Sequence, residues 1–291
     1  MLREWPLVVF TVLGQMAVGV FWLFHLPFLV RFRTPLYGWR TSWLFVLAFV
    51  GLVTALAAAV SFFHLRHPLR ARFAVSNLRS SWLSREILGE LAFMALVAAS
   101  GWLAWTRAPA PGLIWALLVA GCLAGGFFLV SMIRLYMLPT LPAWRGAHTP
   151  LSFVMTTLAL GALATEIIVR AVAGPGVFGP DLMVGASIVI AAGILAAALL
   201  APRHGVLGAR PVPSLRPPGV PPRSFHWARL ACLGTGLVFA VADIASGAGH
   251  IMNEKGAGAP LLLAFAFVLA GEAAGRLHFY GLVARPGESR P

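Results

Sequence analysis

The chain has 291 residues, of which 59% are apolar and 11% are charged, and its mean hydropathy is +0.86. Soluble domains are about 45–50% apolar and about 25% charged, so this composition excludes a soluble enzyme, a disulfide scaffold and a disordered chain. The formal net charge of +13 falls between apolar runs, where basic residues set membrane topology and contact lipid headgroups, and we expect no nucleic-acid partner.

Eight apolar runs of about 20 residues predict an all-α bundle of eight transmembrane helices that forms one domain over residues 1–291. The first run is too long for the core of a signal peptide, so we expect it to remain as a helix. Residues 202–225 contain seven prolines and are predicted to form an extended loop. The predicted helices cover residues 6–30, 43–65, 87–106, 113–137, 151–173, 182–201, 228–248 and 259–283.

The distribution of basic residues predicts the orientation of the bundle. Eight spans place both termini on one side, which carries 15 of the 22 basic residues, against 6 on the other. The positive-inside rule then places both termini in the cytoplasm. We expect a multi-pass protein of the cytoplasmic (inner) membrane. Cys122 and Cys232 lie inside apolar runs without metal-ligand spacing, so we expect no iron–sulfur cluster on this chain.

Several charged or strongly polar side chains lie inside the predicted helices, where a charge costs about 2.5–3.5 kcal/mol on insertion scales. Two acid–base pairs have i,i+4 spacing, which places each pair on one helix face and predicts two self-neutralising ion pairs. A proton path is the alternative interpretation of these groups. The intramembrane polar residues are Gln15, His25, Glu90, Glu166, Arg170, Asp243, Glu272 and Arg276, and the two pairs are Glu166/Arg170 and Glu272/Arg276.

The densest polar stretch joins the second and third predicted helices on the side of the termini. His64 ends one helix and Glu86 begins the next, so both are expected at the same membrane depth. Ser84 is predicted to cap the third helix, and the positive end of the helix dipole would then favour Glu86. Alternatively, Glu86 and His64 suit proton uptake from a quinol, because quinol oxidation needs partners for two oxygens and acceptors for two protons.

Tyr136 ends the fourth predicted helix on the same side. A tyrosine at this depth is typical of the aromatic belt at the membrane interface, and its phenol is also able to hold a quinone carbonyl.

Two other functional classes stay open at this stage. A haem-bearing cytochrome b-type anchor would need facing histidines, and no helix carries two at haem-stacking separation, so we expect no haem. A Soret band would decide this point. A proton or ion transporter would use Glu166, Asp243 and Glu272 as a relay, and solute transport by the purified protein without partners would favour it.

A series of residue blocks, in the same order along the sequence, resembles the membrane anchor subunit of dimethyl sulfoxide reductase (the DmsC family). The anchor of cytoplasmic sulfite dehydrogenase is similar. The blocks are Glu4-Trp5-Pro6-Leu7 with Phe10-Thr11-Val12, Gly14 and Gln15; His64-Leu65 with Pro68 and Arg70; Leu83-Ser84 with Glu86-Ile87; Arg134 with Tyr136; Pro142 with Trp144; Thr149-Pro150; and Leu269-Ala270-Gly271-Glu272 with Gly275-Arg276 and Phe279-Tyr280-Gly281.

The resemblance implies an eight-helix anchor without haem that works in anaerobic electron transport. Such an anchor exchanges electrons between the quinone pool, for example menaquinone, and a four-cluster, ferredoxin-like iron–sulfur subunit. A molybdopterin catalytic subunit completes the complex and holds the terminal chemistry, so no catalytic residue for the terminal substrate is expected here.

The resemblance also assigns site residues. The family's quinol-site histidine, conserved arginine and essential glutamate map to His64, Arg70 and Glu86. Gln15 and Tyr136 match polar positions that line the same pocket, and Glu86 with Glu90 are the predicted proton-transfer residues. After His64-Leu65 this chain has Arg66-His67 where the family usually has glycine, which changes the approach of the quinone ring.

Overall fold

The structure is a computed structural model that describes residues 5–27, 29, 40–64, 76–107, 110–137, 144, 146–173, 182–208, 223–246 and 258–281. Within these residues the chain forms α-helices and no strand, which confirms the predicted all-α class. A short 3-10 helix, Phe62–His64, follows the second α-helix. The α-helices are α1 (Trp5–Pro27), α2 (Arg40–Ser61), α3 (Trp82–Thr106), α4 (Pro111–Tyr136), α5 (His148–Ala173), α6 (Leu182–Gly208), α7 (Arg223–Ala245) and α8 (Ala259–Gly281).

Seven of these helices, all except α6, are long and apolar enough to cross a membrane. In α6 the apolar segment among the described residues is shorter, Val184–Ala196. Several helices extend past the predicted limits, because the apolar run marks only the part of a helix that is in contact with lipid. Thus α6 continues to Gly208, and α7 begins at Arg223. The predicted loop at 202–225 is therefore partly helical, and only residues 209–222 lie outside the described helices.

Two helices occupy the centre of the bundle. In α1 and α5, 72% and 67% of the spanning segment is buried, against 33% or less in the other five spans. α1 packs against α2, α4, α5 and α8, while α3 with α4 and α7 with α8 form neighbouring antiparallel pairs. Large apolar side chains on the outer helices are exposed and provide the surface for lipid, including Leu52, Phe63, Leu123 and Val238.

The two central helices cross at Gly19 of α1 and Gly161 of α5. A Cβ atom placed on Gly161 would lie 2.5 Å from the carbonyl carbon and 2.6 Å from the Cα atom of Gly19. A Cβ atom on Gly19 would overlap the carbonyl oxygen of Thr157. Small residues at a crossing let two membrane helices approach until their backbones are in contact, and this crossing fixes the position of α1 relative to α5.

The start of α3 differs from the prediction. Ser81, not Ser84, is the N-cap, and its side-chain oxygen accepts a hydrogen bond from the backbone N–H of Ser84 at 3.2 Å. Ser81 has the extended backbone that an N-cap requires. The helix therefore begins one turn earlier than a cap at Ser84 would place it. Glu86 therefore lies beyond the first turn, and an interaction with the helix N-terminus does not explain this residue. Its side chain is buried.

Candidate functional site

A buried polar cluster lies in the half of the bundle nearest the two termini. Five helices contribute to it, and its hydrogen bonds run from one helix to the next. Except for Arg229, which is partly exposed, its members are buried. We call it the central polar cluster, and its members are Thr11 and Gln15 from α1, Tyr136 from α4, Thr156 from α5, Arg229 from α7, and Glu272, Arg276 and Tyr280 from α8.

Arg276 connects three helices at the middle of this cluster. Its Nη2 atom donates to Gln15 Oε1 at 2.9 Å and lies 3.4 Å from Thr156 Oγ1. The guanidinium carbon sits 3.6 Å from the centre of the Phe153 ring, a cation–π contact. Only 2% of Arg276 is exposed, and its Nε atom has no hydrogen-bond partner among the described residues. A permanently charged group is thus held in the bundle interior largely by neutral partners.

Glu272, one turn earlier on α8, has different partners. Thr156 Oγ1 donates to Glu272 Oε2 at 2.5 Å, and Arg229 Nη2 donates to Glu272 Oε1 at 3.2 Å. The described contacts therefore replace the predicted direct Glu272/Arg276 pair. The physical reason is that neighbouring helices supply closer partners: α7 offers Arg229 to the carboxylate, and α1 offers Gln15 to the guanidinium.

Two tyrosines end the cluster near the membrane surface. Tyr280 Oη lies 3.0 Å from Tyr136 Oη and 3.3 Å from Thr11 Oγ1, within hydrogen-bond distance of both. The Tyr136 ring contacts Trp144 and Phe153, with ring centres 5.5 and 5.6 Å apart. The aromatic rings exclude water from the two phenols, so these hydroxyls provide donors and acceptors in apolar surroundings.

Two buried carboxyl groups lie one turn apart on α3. Glu86 and Glu90 are 2% and 5% exposed, and the Oε1 atom of each has no hydrogen-bond partner among the described residues. Glu86 is close enough to interact electrostatically with Glu90 and with the phenols of Tyr136 and Tyr280. Buried polar atoms are normally satisfied, so the unsatisfied oxygen of Glu86, which interacts with both phenols, indicates a place for a ligand with hydroxyl groups.

The structure thus brings three of the five predicted quinone-binding residues into one region. Gln15 and Tyr136 belong to the central polar cluster, and Glu86 faces its tyrosines. The backbone of His64 ends the 3-10 helix that follows α2, but its side chain lies outside the described part of the structure. Arg70 also lies outside the described residues.

Sequence reasoning missed four members of the central polar cluster: Thr11, Thr156, Arg229 and Tyr280. One signal was available, because Glu272, Arg276 and Tyr280 follow one another at intervals of four residues and so share one face of α8. A helix face that carries three polar groups inside a membrane has to meet polar partners on other helices.

A second buried ionic group lies at the opposite end of α5. Arg170 Nε donates to Glu166 Oε1 at 2.7 Å, and Arg170 Nη1 donates to Asp243 Oδ2 at 2.9 Å. The i,i+4 pair is therefore extended by a carboxylate of α7, which is fully buried. We interpret this three-residue group as a connection between α5 and α7.

Removal of the shared cation is expected to destabilise this group more than loss of one anion. We expect Arg170→Leu to lower the free energy of unfolding by about 3–5 kcal/mol, because it leaves two buried carboxylates without their shared cation. Asp243→Asn is expected to cost about 1 kcal/mol, because Glu166 still neutralises Arg170. Thermal unfolding of the detergent-solubilised protein measures both, and equal losses in the two variants would contradict this ranking.

His25 and the pair His226 and His278 lie in separate regions of the described structure. His25 is buried near the opposite end of α1, with its Nδ1 atom 2.7 Å from the carbonyl oxygen of Phe21. The rings of His226 and His278 lie 5.9 Å apart between α7 and α8. Across the described residues, no group of three or more His, Cys, Asp or Glu side chains is arranged to hold a metal ion.

Fold and site together define a class: a helical membrane protein of several spans with a buried polar cluster near one membrane face. The family model described as "DMSO reductase anchor subunit (DmsC)" matches residues 1–209. The protein therefore belongs to the DMSO reductase anchor subunit family, which confirms the resemblance drawn from the residue blocks. It is a membrane anchor of this family.

Three curated relatives are similar to this protein. The C subunit of the anaerobic dimethyl sulfoxide reductase of Escherichia coli (strain K12) is 29% identical, over 96% of this sequence and 95% of the relative. The anaerobic dimethyl sulfoxide reductase protein YnfH of the same organism is 31% identical over 58% of each sequence. The C subunit of the Haemophilus influenzae enzyme is 34% identical over 56% of this sequence and 57% of the relative. The alignments to these last two span little more than half of their length. No solved structure matches this protein.

Proposed function

We propose that this protein is the quinol-reactive anchor of a molybdopterin oxidoreductase complex of the dimethyl sulfoxide reductase or sulfite dehydrogenase type. The observation that carries the proposal is the convergence of Gln15, Glu86 and Tyr136, from three different helices, on one buried region near the termini. Membership of the anchor family supplies the context in which such a region would react with a membrane quinol such as menaquinol.

The roles of the residues follow from their chemistry. The unsatisfied carboxyl of Glu86 accepts a proton from a quinol hydroxyl, and Glu90, one turn along α3, takes the proton onward. The phenols of Tyr136 and Tyr280 hydrogen-bond a quinol oxygen. Arg276 orients Gln15 and places a positive charge behind the site. His64 and Arg70 are proposed, on the resemblance alone, to hold the second oxygen and to complete the electrostatics.

The surrounding assembly is proposed on the same basis. α6 crosses the inner membrane in addition to the seven longer apolar helices, which gives eight spans. Both termini lie in the cytoplasm. The face that carries the termini and most basic residues binds an iron–sulfur subunit, which carries electrons between the anchor and a molybdopterin catalytic subunit. The partner subunits hold the redox centres, and the anchor supplies the quinone site.

Glu86→Gln in the assembled complex tests the proposal. We expect quinol-dependent turnover to fall about 100-fold, the lower end of the range for loss of a general base, because the amide cannot take up the proton. A reduced viologen dye delivers electrons directly to the partner's redox centres. Turnover driven by this dye is expected to be unchanged, and that result would show that the complex has assembled.

Glu166→Gln is the matched control, since it makes the same substitution at a buried carboxyl in the opposite half of the bundle. It is expected to leave quinol-dependent turnover within about twofold of wild type. Wild-type turnover in Glu86→Gln with intact assembly would refute the assignment. Loss of turnover in Glu166→Gln alone would favour a proton relay through the other half of the bundle.

A further inference from the structure

An apolar groove of about 400 Å³ lies between α2 and α3. Two glycines create much of its width. A Cβ atom on Gly101 would meet nothing within 4 Å, and one on Gly51 would meet only Val97, at 3.7 Å. The groove faces the lipid in the half of the membrane away from the termini, and it is lined by Leu44, Leu47, Ala48, Gly51, Met94, Val97, Ala98, Gly101 and Trp105.

The α3 residues that line the groove share a helix face with the carboxyl pair of the proposed site. Glu90, Met94, Val97 and Gly101 stand at i, i+4, i+7 and i+11, which places them on one face of the helix. Gly101 lies eleven positions after Glu90, which corresponds to a rise of about 16 Å along the helix. Glu90 lies one helical turn before Met94, which lines the groove, on the side of the termini. It is only 5% exposed, and one of its carboxyl oxygens has no hydrogen-bond partner among the described residues.

We infer that the groove binds the isoprenoid tail of a quinol whose head group lies at Glu86 and Glu90. This inference rests on the proposed function and adds that the substrate is a long-tailed quinol recognised along its tail. A molecule that fills the groove and also satisfies Glu90 needs a long apolar part joined to a small head with hydroxyl groups, and a membrane quinol has both.

Two other occupants agree less well with this arrangement. A phospholipid has an acyl tail that suits the lining, but its charged head group lies at the membrane surface and not at the depth of Glu90. A helix of another copy would use its backbone N–H groups in its own hydrogen bonds, so it would leave the Glu90 oxygen unsatisfied.

Gly101→Leu and Ala98→Phe, which fill the groove from its floor and from its exposed rim, test the inference. Kinetics of the assembled complex are measured with two substrates that share a head group: a menaquinol with a long isoprenoid tail and the same naphthoquinol without a tail. We expect the KM for the tailed quinol to rise about tenfold, the effect of losing burial of about two methylene groups. The KM and kcat for the tail-less quinol are expected to change by less than about twofold.

Gly234→Leu on α7 is the matched control, since a Cβ atom there also meets nothing within 4 Å and the residue lies outside the groove. It is expected to leave the kinetics with both quinols unchanged. Equal effects of the groove variants on both quinols, or no effect on either, would overturn the inference and favour bulk lipid as the occupant. If the wild-type complex oxidises neither quinol, the proposed function itself fails and the inference with it.

Discussion

Replacement of Gly19 by alanine is expected to destabilise the folded protein by about 3 kcal/mol, the upper end of the usual range for overpacking. The added methyl group would overlap the carbonyl oxygen of Thr157, and the nearest atoms on α5 belong to the backbone. A backbone atom cannot rotate away as a side chain does, so α1 and α5 would have to separate along their length. Because these are the two most buried spans, every other helix that packs against them would lose contacts.

The thermal midpoint of the detergent-solubilised protein, together with the amount of folded protein in the membrane, measures this effect. Gly234→Ala is the matched control, because it makes the same change in a helix where the new methyl group meets nothing within 4 Å. This control is expected to retain or slightly raise the midpoint, since alanine favours a helix more than glycine does. Equal midpoints for the two variants would mean that α1 and α5 do not cross at Gly19.

Arg276→Gln is expected to reduce quinol-dependent turnover by more than about tenfold and to destabilise the fold by about 1–3 kcal/mol, the cost of one unsatisfied buried polar group. The shorter neutral group cannot reach both Gln15 and Thr156, so the bridge from α8 to α1 and α5 is lost. The positive charge behind the tyrosines disappears as well. Arg276→Lys keeps the charge but loses the planar arrangement of hydrogen-bond donors. We therefore expect it to retain more of the wild-type turnover than of the wild-type stability.

Two readouts separate these contributions: the KM and kcat for quinol in the assembled complex, and the thermal midpoint of the isolated anchor. Arg107→Gln is the control, since Arg107 is an exposed arginine that follows the end of α3 on the side of the bundle away from the termini. Its substitution is expected to change neither. Normal quinol turnover in Arg276→Gln would show that the central polar cluster supports the fold without serving the quinone site.

Much of the site could be found from the sequence, but its connections could not. Gln15 was identifiable as a polar residue inside an apolar run, and Glu86 and Tyr136 as polar residues at the ends of predicted helices on the side of the termini. The family resemblance assigned all three to one pocket. Their association through Arg276 and Tyr280 was not visible. The i,i+4 rule is a property of one helix, whereas the partner that a side chain selects depends on which neighbouring helix is closest. For this reason the Glu166 and Arg170 spacing gives an ion pair, while the same spacing on α8 does not.

The sequence by itself determined the membrane class, the approximate positions of the helices and the family, because these depend on local hydropathy and on residue order. Only the tertiary structure decided that α1 and α5 are central and that they cross at Gly19 and Gly161. The physical reason is that lipid is as apolar as a protein core. Hydrophobicity therefore does not distinguish the buried face of a membrane helix from its outer face, and close packing and polar contacts between helices fix their arrangement.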